Sequence, residues 1–136
     1  MKFKDLEIGT YYELSKQISS EEVFEFAKVS GDYNPIHIDE EYAKNSPFKE
    51  RIVHGMLIGS LFSKIIASEL PGPGSIYLEQ TMSFLKPIFH NSNIKIIIEV
   101  DNLKSEKKIV YLKTTCWVSD TKVIDGTAVV KCMELN

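Results

Sequence analysis

Between residues 55 and 70 the chain sets Met56, Leu57, Ile58, Leu61, Phe62, Ile65 and Ile66 at helical spacing over most of a helix circumference. A helix that is apolar nearly all round has to be buried rather than laid on a surface. Lys64 and Glu69 interrupt the segment, and it is too short to span a bilayer. The run Pro71-Gly72-Pro73-Gly74 then stops it, since no helix crosses such a sequence. The rest of the chain must therefore supply a surface that wraps this helix.

Past the stop, the apolar period falls from about 3.6 to 2, the signature of half-buried strands. Ile76, Leu78, Met82 and Phe84 alternate with Tyr77, Glu79, Thr81 and Ser83. Ile94, Ile96, Ile98 and Val100 alternate with Lys95, Glu99 and Asp101, with Ile97 breaking the pattern. Further strands are expected near 109–118 and 127–135, and an early one over 11–17. The polar segments 104–108 and 120–122 are short turns, which imply antiparallel neighbours. Before the apolar helix, Ser19 followed by Glu22 is a capping-box pattern. Val23, Phe26, Ala27 and Ser30 then recur at helical spacing up to Gly31. A loop over 32–38 follows, then a short helix from an Asp39 N-cap through about Lys44, then irregular chain to Val53.

A buried helix beside an antiparallel sheet is satisfied if the sheet curls around it. That is an α+β hot-dog fold, expected here as one domain over 1–136. A single copy leaves edge strands and apolar strand faces uncovered, which favours a homodimer. The 136 residues, 43% hydrophobic and 26% charged, suit such a core without disulfides. A net charge of -3 with scattered basic residues gives no reason to expect nucleic acid. Cys116 and Cys132 have no metal or CxxC spacing and are expected to pack as small apolar side chains. The opening MKFKDLEIGT lacks an apolar leader, so neither export nor a membrane is expected, and the cytoplasm is the expected compartment.

Two places carry candidate chemistry. In Gly31-Asp32-Tyr33-Asn34-Pro35-Ile36-His37, Pro35 holds Asn34 extended, and the turn can bring a carboxylate and an imidazole together. Adding water needs one group to take the water's proton and another to hold the water or return a proton to carbon. The plain alternative is an Asx turn with a surface histidine. The second place is Val53-His54-Gly55-Met56, which opens the apolar helix. Free N–H groups gather there, and a glycine lets a thioester carbonyl come close enough for an oxyanion hole. Its alternative is a helix start that needs a small residue for packing. Ser63 is either a bond to the catalytic loop or a bond to its own helix. His54 is expected to be structural, His90 a solvated loop residue, and Lys86-Pro87 a bend.

The stretches GDYNPIHIDEEYA, RIVHGMLIGSLFS and PGPGSIYLEQTMSFLKPIF, in this order, resemble the MaoC-like (R)-specific enoyl-CoA hydratases, closest to the short single-hot-dog members of polyhydroxyalkanoate supply. The resemblance implies Asp32 and His37 as the catalytic pair and Gly55 N–H as the oxyanion donor. It further implies Asn34 as a support of the loop and Ser63 as a buttress near the site. The expected ligand is an acyl-CoA, or an acyl group on acyl carrier protein, with no organic cofactor and no metal. A thioesterase of the same fold usually carries a carboxylate on or beside its helix, and 55–68 has none.

Overall fold

The computed structural model describes residues 2–133. Five antiparallel strands form one sheet in the order β1-β3-β4-β5-β2. They are β1 (Tyr11–Gln17), β2 (Ser75–Phe84), β3 (Asn93–Lys104), β4 (Ile109–Val118) and β5 (Thr121–Cys132). The helices are α1 (Ser20–Ser30), α2 (Pro35–Ile38), α3 (Glu40–Lys44) and α4 (Gly55–Ser68). This is the expected hot-dog arrangement, a curled sheet with α4 packed against β2 and β3.

Alternation places the core. Ile94, Ile96, Ile98 and Val100 on β3 are all buried, and Ile97 points to the other face. Ile58, Leu61, Phe62, Ile65 and Ile66 meet them from α4. Full burial of each such side chain is worth about 1.5–3 kcal/mol. Cys116 and Cys132 lie in the same core, and burial pushes the Cys116 thiol up to about 12.

Three sequence expectations need correction. Helix α4 is not buried all round: Met56, Ser60, Ser63, Lys64 and Ala67 form an exposed stripe. Serines and a lysine at helical spacing divide the apolar set, so only one face is core. The last strand begins at Thr121, because the connection from β4 is a two-residue turn, and the strand runs to Cys132. The expected end at Leu135 lies outside the described residues. Third, β2 is an edge strand and Ile76, Leu78 and Phe84 stay exposed, with a register shift between Tyr77 and Glu79.

Backbones approach closely where β5 meets β2. Gly126 pairs with Met82, and a Cβ there would sit 1.9 Å from the Thr81 carbonyl oxygen. Neither backbone can give way without breaking the ladder. Gly126→Ala is expected to lower stability by about 2 kcal/mol or more, read as a lower urea midpoint. A midpoint equal to wild type would contradict the tight crossing.

Candidate active site

Helix α1 starts on a full capping box, with Ser19 Oγ accepting from Glu22 N–H and Glu22 accepting from Ser19 N–H. It ends at Gly31, whose φ of 79° belongs to the left-handed region that glycine tolerates. The chain then turns through Asp32. Its Oδ1 accepts from Asn34 N–H, so the Asx turn is present, and Ser30 Oγ accepts from Asp32 N–H. The expected loop over 32–38 contains a one-turn helix. Pro35 supplies its first residue and Asn34 Oδ1 caps it by accepting from Ile36 N–H. His37 sits on that turn.

Three hydrogen bonds hold this turn to the segment that precedes α4. Ile52 N–H donates to the Ile36 carbonyl at 3.2 Å. His37 Nδ1 lies 2.8 Å from the Ile52 carbonyl, and His54 Nε2 lies 3.0 Å from the Asp32 carbonyl. A carbonyl oxygen only accepts, so both ring nitrogens carry their protons. Neutral His37 therefore keeps its lone pair on Nε2. Val53 N–H in turn donates to Ile88 at 2.7 Å, tying the segment to the chain after β2.

The result is a cavity of about 380 Å³ into which Asp32, His37, His54 and Gly55 open. Its other walls are mostly apolar, with Phe48, Met56, Phe84 and Ile124 among them. Lys86 and Pro87, expected as a mere bend, line it too. Nothing in their local sequence distinguishes them; they reach the cavity because the sheet curls. Gly55 N–H has no backbone partner among the described residues, as a helix start requires. A Cβ at Gly55 would lie 2.5 Å from the Phe84 ring, so the packing reason for glycine holds as well. Asn34 is exposed and outside the cavity lining, with its side chain spent on the cap. Ser63 lies on the exposed stripe of α4, away from this cavity, and makes no hydrogen bond to the loop among the described residues.

Asp32, His37 and His54 each offer an atom within 4.8 Å of the other two, a spacing that a metal could use. The two imidazoles are stacked, however, with centroids 3.9 Å apart and planes 27° apart. Ring lone pairs lie in the ring planes, and two nearly parallel stacked planes are a poor arrangement for pointing both at one ion. Burial lowers the His37 pKa below the ordinary 6.5, and the neighbouring His54 adds to this; the Ile52 carbonyl and Asp32 pull the other way.

Residues 5–125 match the family described as MaoC like domain. The chain is 42% identical to a 3-hydroxybutyryl-CoA dehydratase of Methylorubrum extorquens over 95% of its length and 82% of the relative's. It is 41% identical to an (R)-specific enoyl-CoA hydratase of Aeromonas caviae, over 96% and 98%. Among solved structures, the (R)-hydratase from A. caviae involved in PHA biosynthesis superposes with a TM-score of 0.93 at 40% identity, covering 96% of this chain and 99% of that one.

The lowered pKa has a readout independent of any substrate. The His37 Hε1 resonance is expected to titrate with a midpoint below 6.5, and a midpoint above that would contradict the desolvated geometry. As pH falls through 6.5, the unfolded chain takes up this proton before the folded one does. The His37 contribution to stability is then lost progressively until the folded ring is also protonated.

Proposed function

The chain belongs to the MaoC-like domain family, and on that premise we propose that it adds water reversibly to a trans-2-enoyl-CoA, giving the (R)-3-hydroxyacyl-CoA. The observation that carries this is the placement of the Asp32 carboxylate and a His37 ring nitrogen within 4.8 Å of each other on one apolar cavity. One water donating to both acceptors spans about 4.5 Å, from two hydrogen bonds of ~2.8 Å at a near-tetrahedral angle. Such a water presents an oxygen lone pair to the β-carbon.

The steps balance without a redox partner. The pair takes a proton from the water as its oxygen bonds to the β-carbon. The alkene electrons move toward the thioester oxygen, where Gly55 N–H at the start of α4 meets the developing charge. The same proton returns to the α-carbon on the same face and restores the carbonyl. Thioester polarisation is essential, because an isolated alkene offers water no electrophilic carbon. The (R) outcome is supported by the likeness to the (R)-specific enoyl-CoA hydratase of A. caviae. Asn34 supports the turn that carries His37 through its cap on Ile36 N–H, and Ser63 is assigned a supporting role from the exposed stripe of α4.

We further propose a homodimer in the cytoplasm, acting on an acyl-CoA or an acyl carrier protein thioester. The exposed apolar residues of edge strand β2, with Ile76 41% and Leu78 50% exposed, support a second copy along that edge. No helix among the described residues is long and apolar enough to cross a membrane. The buried free thiol of Cys116 fits a reducing compartment. One connected core supports reading 1–136 as a single domain.

Mixing the protein with crotonyl-CoA is expected to remove the ultraviolet absorbance of the conjugated enoyl thioester without releasing thiol. Asp32→Asn and His37→Gln each keep shape while removing a proton acceptor, and each is expected to lower the rate by about 10²-fold or more. Most activity surviving in either variant would sink the assignment. Sedimentation equilibrium is expected to give twice the chain mass.

A further inference from the structure

His54 is 1% exposed, and packing alone does not account for an imidazole there. Its Nδ1 is buried with no hydrogen-bond partner among the described residues, a cost that a purely apolar ring of similar shape would avoid. What the imidazole adds is visible on its other sides. Nε2–H donates to the Asp32 carbonyl at 3.0 Å, and the ring face stacks on His37 at 3.9 Å. Phe26 of α1 closes on it at 4.9 Å in a T-shaped contact. Asp32 and His37 stand on separate turns of chain with Asn34 and Pro35 between them, and His54 touches both.

We propose that His54 is the positioning residue of the acid–base pair, anchoring the Asp32 main chain through Nε2 and seating the His37 ring by stacking. The inference rests on the hydratase reading for its kinetic consequences, though not for its geometry. The carboxylate stands on an exposed turn, so without the anchor its Oδ atoms lose their fixed distance to the water. Without the stacked face, His37 is freer to rotate and to meet solvent. The titratable groups that line the cavity around His54 are Asp32, His37 and Lys86, and no acidic group opens into it from α4 or the sheet among the described residues. Desolvation by the stacked ring is thus among the forces that keep His37 in its basic, unprotonated form near neutral pH.

Two variants separate the two roles. His54→Phe keeps a stacking ring and loses the donor; His54→Gln keeps an N–H donor and loses the ring. With crotonyl-CoA, His54→Phe is expected to lower kcat about 10–100-fold with KM within about 3-fold, as misplacement of reacting groups does. The acid limb of its kcat/KM profile is expected to move less than in His54→Gln, because the stacked face is kept and only the charge of His54 is lost. His54→Gln is expected to move that limb to higher pH, toward the ordinary imidazole value, because activity requires unprotonated His37. Both variants are compared at equal folded fraction, set by thermal melts. Wild-type kcat together with an unmoved acid limb in the folded fraction of both variants overturns the proposal; so does a fall in kcat in both with the His54→Gln limb unmoved. The His37 Hε1 titration in His54→Gln gives a reading that needs no turnover. If wild type leaves crotonyl-CoA untouched, the hydratase reading fails, while an upward shift of this titration still upholds the contact and an unchanged midpoint removes it.

Discussion

Everything chemical in this molecule depends on the stitching of one short turn to the chain that enters the central helix. Helix α2 has four residues, too few to hold its shape in water on its own. Its order comes from outside: the Ile36 carbonyl accepts from Ile52 N–H, His37 Nδ1–H donates to the Ile52 carbonyl, and His54 Nε2–H donates to the Asp32 carbonyl. The Ile52–Val53 segment is itself fixed to the connection between β2 and β3 by the Val53 bond to Ile88 and the bridge between Ile52 and Phe89. The connection between two strands thus positions a turn that lies outside the sheet.

These bonds do electrical as well as mechanical work. By fixing the tautomers of both histidines, they decide which nitrogen of His37 is basic. By drawing His37 under the start of α4, they remove part of its hydration and lower its affinity for a proton. Helix α4 contributes at its opposite extremes of polarity. Its first residue, Gly55, brings to the cavity an N–H with no backbone partner among the described residues, while Phe62 and Ile65 further along are fully buried and hold the helix in place.

Much of this was legible in the sequence. Capping at Ser19 and Glu22, the Gly31 stop and the Asp39 cap are local effects, encoded within a few residues, and they recur in the structure as read. Strands β1 and β4 occupy the ranges expected for them. The turn that carries Asp32 and His37 was visible because Asn-Pro between them forbids simple continuation of the helix, while reading the two as a pair rested on the family resemblance. The parts that escaped depend on distant chain. The exposed stripe of α4 is hidden when apolar residues are counted without the serines between them. Lys86 and Pro87 become cavity walls only through the curl of the sheet. The double contact of His54 joins residues 22 and 17 positions apart, a distance no local pattern spans.

Helix α4 meets β2 through two empty Cβ positions. At Gly55 the space is taken by the Phe84 ring, and at Gly59 by the Met82 sulfur, 2.8 Å from where a Cβ would stand. Both partners are side chains rather than backbone, so helix and strand share a fixed volume that either can occupy. The outcome is a directional constraint on how the chain can change over time. A larger residue on the helix is accessible only after its partner on the strand has become smaller, while a smaller strand residue is tolerated first and widens the cavity at Phe84. Coupled sites of this kind do not add, and here the geometry dictates the sequence of steps: divergence of the cavity wall starts from the sheet.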